Sequence, residues 1–283
     1  MPDTQNTLYA QAYSKNIMQL AQQKYAKLLN TVYIKPNVRG KTFFQDQIGQ
    51  WEMETKGGRN VQTPNNDPNL ARRMGIMVDY HDNRLLDRGD ELRYISDPRS
   101  AYTIAAARSL GRKIDDVIIA AAVGTAKTGE TGSGTAPTSS AISLTTNTLT
   151  LEKLADVKKE LDDKDVEEDD RFLVVTPTAL SNALKQEKLT SADYAAVKAL
   201  VNGEINSFMG FNWIISTRLQ SASGDSGLDG LAYHRYALCL AMAAQPIVRT
   251  DQRADLSYSW QVYYELNVGA VRLEEDRLVR VRT

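Results

Sequence analysis

Between Ser96 and Gly124, apolar and small residues recur in alternating steps of three and four: Ile104, Ala107, Gly111, Ile114, Ile118 and Ala121. That period is helical, because residues so spaced share one face of an α-helix. Asp97 followed by Pro98 predicts the helix start. The carboxylate accepts N–H groups that lack a partner within the helix, and proline at the first helical position forfeits no hydrogen bond. Arg108, Arg112, Lys113, Asp115 and Asp116 form the opposite face, with Arg112 and Asp116 spaced for an i,i+4 pair. Gly124 ends the run. At 1.5 Å per residue such a helix is about 40 Å long, a rod on which other elements must pack.

The same pattern predicts the elements on either side. Leu8–Leu29 reads as a helix with a thin apolar stripe of Tyr9, Tyr13, Ile17, Leu20 and Leu28. So narrow a face needs a partner, in its own domain or on a neighbouring subunit. Thr42–Thr55 and Arg72–Leu86 are strand-like, the second alternating Met74, Ile76, Val78 and Tyr80 with Arg73, Gly75, Met77 and Asp79. The turn-rich KGGRNVQTPNNDPN lies between them and predicts a long two-stranded arm. It has no evident core of its own, and an isolated hairpin is marginal in water. Phe43, Phe44, Trp51 and Met53 are what the arm offers a partner.

Beyond the rod, GTAKTGETGSGTAPTSSAIS is poor in bulky residues and is expected to be mobile. From Thr150 helices and strands alternate: a helix over Leu151–Leu161, a strand at Phe172–Thr176, a helix from Pro177 and another from Ser191 to Asn202. Strands at Trp213–Ser216 and Tyr233–Ala243 complete an α/β lobe. Leu256–Leu266 alternates strictly, turns through Asn267 and Gly269, and is followed by the strand-like Leu278–Val281.

Composition narrows the classes. The 283 residues are 42% hydrophobic and 24% charged, enough for a folded soluble chain of one or two domains. A net charge of −1 gives no field drawing the chain to nucleic acid or acidic membranes. The one cysteine, Cys239, rules out an internal disulfide framework and a cysteine-based zinc site, and its apolar neighbours predict a buried thiol. The N-terminal residues lack a signal-peptide pattern, and the longest apolar run is too short to span a bilayer.

No catalytic, cofactor or metal set emerges. Gly224-Asp225-Ser226-Gly227 resembles the nucleophile motif of chymotrypsin-like proteases, and His81-Asp82 lies upstream. The helical chain between them is wrong for a paired-barrel enzyme, and the small polar residues around Ser226 make a loop without chemistry. Gly124–Gly129 has phosphate-loop spacing, but Glu130 stands where lysine is needed. The acidic run Asp162–Asp170 lacks the glycine and terminal glutamate of a calcium loop. Arg272, Arg277, Arg280 and Arg282 read as a solvated strand face that could meet packed nucleic acid.

The ordered set Asp90-Glu91, Asp97-Pro98, Ser100, Tyr102, Leu110-Gly111-Arg112, Ile114-Asp115 and Gly124 resembles the major capsid protein of tailed bacteriophages, of the Hong Kong 97 type. Gly203, Met209-Gly210-Phe211 before Trp213, and Gly269-Ala270-Val271-Arg272 extend the likeness over most of the chain. The resemblance implies an α+β fold with an N-terminal arm (1–37), an extended β-hairpin loop with flanking strands (38–94), and a peripheral domain carrying the spine helix (95–149). An α/β axial domain (150–245) and return strands to the peripheral domain (246–283) follow.

The function implied is structural, not enzymatic. Subunits self-assemble as hexamers and pentamers into an icosahedral head around double-stranded DNA, and the shell matures by conformational change. A separate scaffolding protein and a portal are implied partners; neither sequence-specific DNA binding nor a membrane is. Localisation is the virion, assembled in the host bacterial cytoplasm. Tyr9, Tyr13, Phe43, Phe44, Trp51 and Met53 are the expected intersubunit contacts, Gly111 the expected pivot of the spine helix, and Asp97 and Pro98 its cap. Some relatives cross-link lysine to asparagine; Lys41 and Lys56 lie in the loop region, but no acceptor or catalytic acid is identified. The same fold serves encapsulin-like cellular compartments, the main alternative; a serine hydrolase using Ser226 is the other.

Overall fold

The computed structural model describes residues 22–63, 65–86, 99–137, 139–143, 149–184, 207–224, 226–243 and 247–282. Residues 22–28 are irregular and lead through a 3-10 turn, Leu29–Thr31, into β1 (Tyr33–Lys35). The helix expected over Leu8–Leu29 therefore does not reach through residues 22–28; its remainder lies outside the described residues. The physical reason is tertiary. The amides of Lys27 and Leu28 donate to the Asp115 carboxylate at 3.1 and 3.0 Å, instead of to carbonyls four residues back.

An antiparallel hairpin follows: β2 (Thr42–Ile48) and β3 (Leu70–Ile76), with Thr42 opposite Ile76 and Ile48 opposite Leu70. Pairing closes at Gly49, whose N–H donates to Asn69 O at 2.7 Å, so the strand expected to reach Thr55 stops at Ile48. The run expected as one strand from Arg72 to Leu86 is two, because β4 (Val78–Leu86) leaves the hairpin and joins another sheet. Burial across this junction runs against hydrophobicity. Arg73, Gly75 and Met77 are buried, while Ile76 and Val78 are exposed. Gly75 decides the sense: the Phe43 ring lies where its side chain would be, 2.1 Å from an ideal Cβ.

The rod is α1 (Arg99–Val123). Its predicted cap, Asp97 and Pro98, lies outside the described residues. The buried band is an i+4 row, Ala106, Leu110, Ile114, Ile118 and Ala122, with Ile119 beside it. Ile104 and Ala107, expected on this face, are exposed. The row wins because α1 packs along strands on one side and a short helix on the other. Gly124 N still donates to Ala120 O at 2.8 Å, which closes the last turn.

The stretch expected to be mobile carries three short strands, β5 (Lys127–Thr128), β6 (Gly134–Thr135) and β7 (Ser140–Ser143). Backbone ladders, which ask nothing of side-chain bulk, order it. Next come α2 (Leu151–Asp162), whose first turn is capped by Thr150 accepting from Lys153 N, then β8 (Arg171–Val175) and α3 (Pro177–Leu184). The helix expected from Ser191 to Asn202 lies outside the described residues. β9 (Ser207–Phe208), β10 (Phe211–Ile215) and α4 (Leu219–Ser223) precede β11 (Leu228–His234), β12 (Leu238–Met242) and β13 (Ile247–Arg253). Last are β14 (Ser259–Arg272) and β15 (Leu278–Arg282).

Among the described residues the strands form three sheets. β2-β3-β5-β6 carries the hairpin; β1-β12-β14-β13, with β4 on the other edge of β14, forms the second; β7-β15-β11-β8-β10-β9 forms the third. The turn expected at Asn267 and Gly269 is absent, since β14 continues through both and pairs Gly269 with Ala241. Gly269 is needed for closeness, not turning: an ideal Cβ there would lie 2.2 Å from Ile76 O, where β3 crosses into β4.

The third sheet buries both faces. Phe172, Val174, Leu231, Tyr233 and Leu278 face α1 and the second sheet, while Leu173, Val175, Ala232, Val279 and Val281 face α2 and α3. That explains why β8 reads as a continuous apolar run. A third, smaller cluster packs Phe43 and Met77 against Cys239, Ala241, Val271 and Leu273. It roots the hairpin, and its Cys239 is fully buried as expected.

Candidate assembly surfaces

Beyond the pair Ile48–Leu70 the hairpin carries apolar side chains with nothing to pack on. Ile48 and Leu70 are 72% exposed, Trp51 70% and Met53 100%. Phe43 is a correction to the expected contact set: it is 4% exposed and spent on the subunit's own core, under Gly75. Phe44 is half-buried, with the Arg72 guanidinium 5.6 Å from its ring centre. Tyr9 and Tyr13 lie outside the described residues. Of the four that are described, Trp51 and Met53 are the openly presented apolar groups.

The second feature is the crossing of residues 22–28 over α1. Asp115, fully buried, accepts from Lys27 N, Leu28 N and Gln23 Nε2, the last at 2.5 Å. Burial pushes its carboxyl above the usual aspartate range, against the pull of those donors. One turn away Arg112 donates to Gln22 Oε1 at 2.8 Å, so the expected Arg112–Asp116 pair is not made. Asp116 pairs with Arg218 instead, in a two-pronged contact at 2.8 and 2.5 Å that ties α1 to the start of α4. Leu28 then enters the main core, and Thr31 Oγ1 bonds the buried Tyr233 hydroxyl at 2.7 Å.

Gly111 sits under this crossing. An added Cβ would lie 2.9 Å from Ala26 N and 3.2 Å from Tyr25 C, both backbone atoms. Alanine gains about 1 kcal/mol in helix propensity, but forcing the crossing chain outward costs about 1–3 kcal/mol. Gly111→Ala is expected to lower the chemical denaturation midpoint slightly, despite alanine's preference for helix. A raised midpoint would mean the crossing yields easily.

Other candidates dissolve. Ser226 lies in the turn after Gly224, which takes a left-handed φ of 70°, and the histidines are engaged elsewhere. His234 Nδ1 meets the Tyr236 amide and Arg277, and His81 lies against Tyr263. The acidic run holds arginines: Asp162 pairs with Arg171, Glu167 with Arg277 and Asp170 with Arg235. Arg272, expected on a solvated face, is 1% exposed. Its guanidinium donates to Ala122 O and Gly124 O at the end of α1, a buried cap that a strand-based reading could not show. Among the described residues no helix is long and apolar enough to cross a membrane.

Solved structures share this arrangement of a rod helix, a projecting hairpin and packed sheets. The capsid protein of cyanophage P-SCSP1u aligns with a TM-score of 0.78 at 16% identity, covering 98% of this chain and 93% of its own. Mycobacterium phage Che8 gives 0.73 at 17% identity, over 98% and 97%. The capsid of a native GTA particle gives 0.72 at 12%, over 98% and 95%. No curated protein sequence matches the chain. Residues 5–283 match the family described as phage capsid protein, and the chain belongs to that family. It is a virion structural protein, a component of the capsid shell.

Proposed function

We propose that this subunit is the major capsid protein that builds hexamers and pentamers of an icosahedral head around double-stranded DNA, in the host cytoplasm. A scaffolding protein and a portal assist, and the shell later matures. In this reading residues 1–37 are the arm, 38–94 the extended loop, 95–149 and 246–283 the peripheral domain, and 150–245 the axial domain. The observation that carries it is the loop tip: Trp51 and Met53 stand in solvent on the lone subunit although their hairpin root is firmly packed. Large side chains so presented find burial on a neighbouring copy. Gly111 is proposed to let the arm root and α1 shift together during maturation.

Burying one such side chain is worth about 1.5–3 kcal/mol, repeated in every subunit. The double variant Trp51→Asp, Met53→Asp is expected to keep the wild-type denaturation midpoint yet form no closed particles in negative-stain microscopy. Normal shells from that variant would remove the loop tip from the contact. DNA extracted from wild-type particles is expected to be genome-length and double-stranded; an enzyme cargo in its place would favour the encapsulin-like reading.

A further inference from the structure

One carboxylate stands between two arginines at the base of the hairpin. Arg73, buried on β3, donates from Nη2 to Glu275 Oε2 at 2.7 Å and from Nε to Leu273 O at 2.8 Å. Arg272 Nε faces the other oxygen, Glu275 Oε1, at 3.5 Å. Arg272 also grips α1 through Ala122 O and Gly124 O and the following loop through Pro137 O. The three side chains therefore link the hairpin, the end of the rod and the segment after β14. Burial and the nearby charges of Arg280 and Arg73 all work against the charged form of Arg272, and only the Glu275 carboxylate beside it favours that form.

We infer that Glu275 is the positioning residue that sets the direction of the extended loop, by holding together two guanidiniums that otherwise repel. Like charges in a poorly solvated site interact strongly, so losing the shared carboxylate does more than losing one bond. Removing Glu275 drives β3 away from the rod. Removing Arg73 only releases it. Removing both leaves Arg272 with its three carbonyl partners and no opponent. A simple packing role gives no such ordering. On the second strand Lys35 Nζ, from β1, grips Phe44 O at 2.7 Å, so the hairpin pivots about that hold.

The test is amide hydrogen exchange on the full-length chain, compared between the hairpin strands Thr42–Ile48 and Leu70–Ile76 and the distant strand β8 as control. Glu275→Gln is expected to speed exchange in the hairpin about tenfold without altering β8, as local opening does. Arg73→Met is expected to have a smaller effect, Arg73→Lys smaller still. The double variant Arg73→Met, Glu275→Gln is expected to exchange more slowly than Glu275→Gln alone, a coupling that a double-mutant cycle isolates. Unchanged hairpin exchange, equal acceleration in β8, or a double variant at least as fast as Glu275→Gln would overturn the inference. The readout is independent of particle formation, so it stands or falls apart from the assembly reading.

Discussion

Gly269→Ala is expected to be the most damaging alanine substitution among the described glycines. The new Cβ would stand 2.2 Å from Ile76 O, 2.9 Å from Ile76 C and 3.2 Å from Met77 Cα. All three are backbone atoms, so no side chain can rotate away. Overpacking usually costs 1–3 kcal/mol. Here the strand crossing itself must move, and about 3 kcal/mol or more is expected, which lowers the melting temperature by roughly 6–12 °C. Gly57→Ala is the control: nothing lies within 4 Å of its added Cβ, and no shift is expected. Thermal unfolding of the two variants side by side decides the matter, and a wild-type melting temperature for Gly269→Ala would mean that the crossing of β3 and β4 over β14 is loose.

Asp115→Ala ranks beside it, for an electrostatic reason. The change strands two main-chain donors, Lys27 N and Leu28 N, whereas Gln23 Nε2 keeps Tyr25 O as acceptor at 2.8 Å. Each such donor left unpaired costs about 1–3 kcal/mol, so a loss of about 2–4 kcal/mol is expected by chemical denaturation. The acid side separates charge from packing. Because burial raises the Asp115 carboxyl above its ordinary 3.8, ionising it costs more in the fold than in the unfolded chain. Its contribution is fullest below pH 3.8 and declines as pH rises through the folded value. Asp115→Asn lacks that slope. The stability difference between wild type and Asp115→Asn should therefore shift against wild type as pH rises from 3.8, and a constant difference would show that the carboxyl is not held upward.

What could be read along the chain was whatever depends on local period. The rod announced itself over two dozen residues, α2 by its leucines, and β8 by its apolar run from Phe172 to Val175. The ordered motifs pointed to the right family. Contacts distant in sequence were invisible. Nothing around Asp115 marks it as the acceptor for amides 87 and 88 residues away. Its neighbours are charged, so it reads as one more solvated position. Arg73 looked like the outer face of a strand because its counterion, Glu275, lies 202 residues along the chain. Phe43 looked available for the same reason: only the hairpin register shows that Gly75 makes room for it. Gly269 read as a turn, since glycine signals turns and close approaches alike.

Trp51 and Met53 sit past the last paired residues, where no strand partner covers them, and both are exposed; what they touch in an assembly is a separate matter of contact between subunits.

β15 lies inside the third sheet, parallel to β7 on one side and antiparallel to β11 on the other, and its Leu278 shares a cluster with Leu28. A nascent polypeptide still attached to the ribosome before residue 282 lacks an interior strand and leaves the edges of β7 and β11 bare. The third sheet must wait for β15 to emerge, since pairings this distant close late. Until then the growing polypeptide holds two unpaired strand edges, the kind of edge at which neighbouring chains on one polysome pair wrongly.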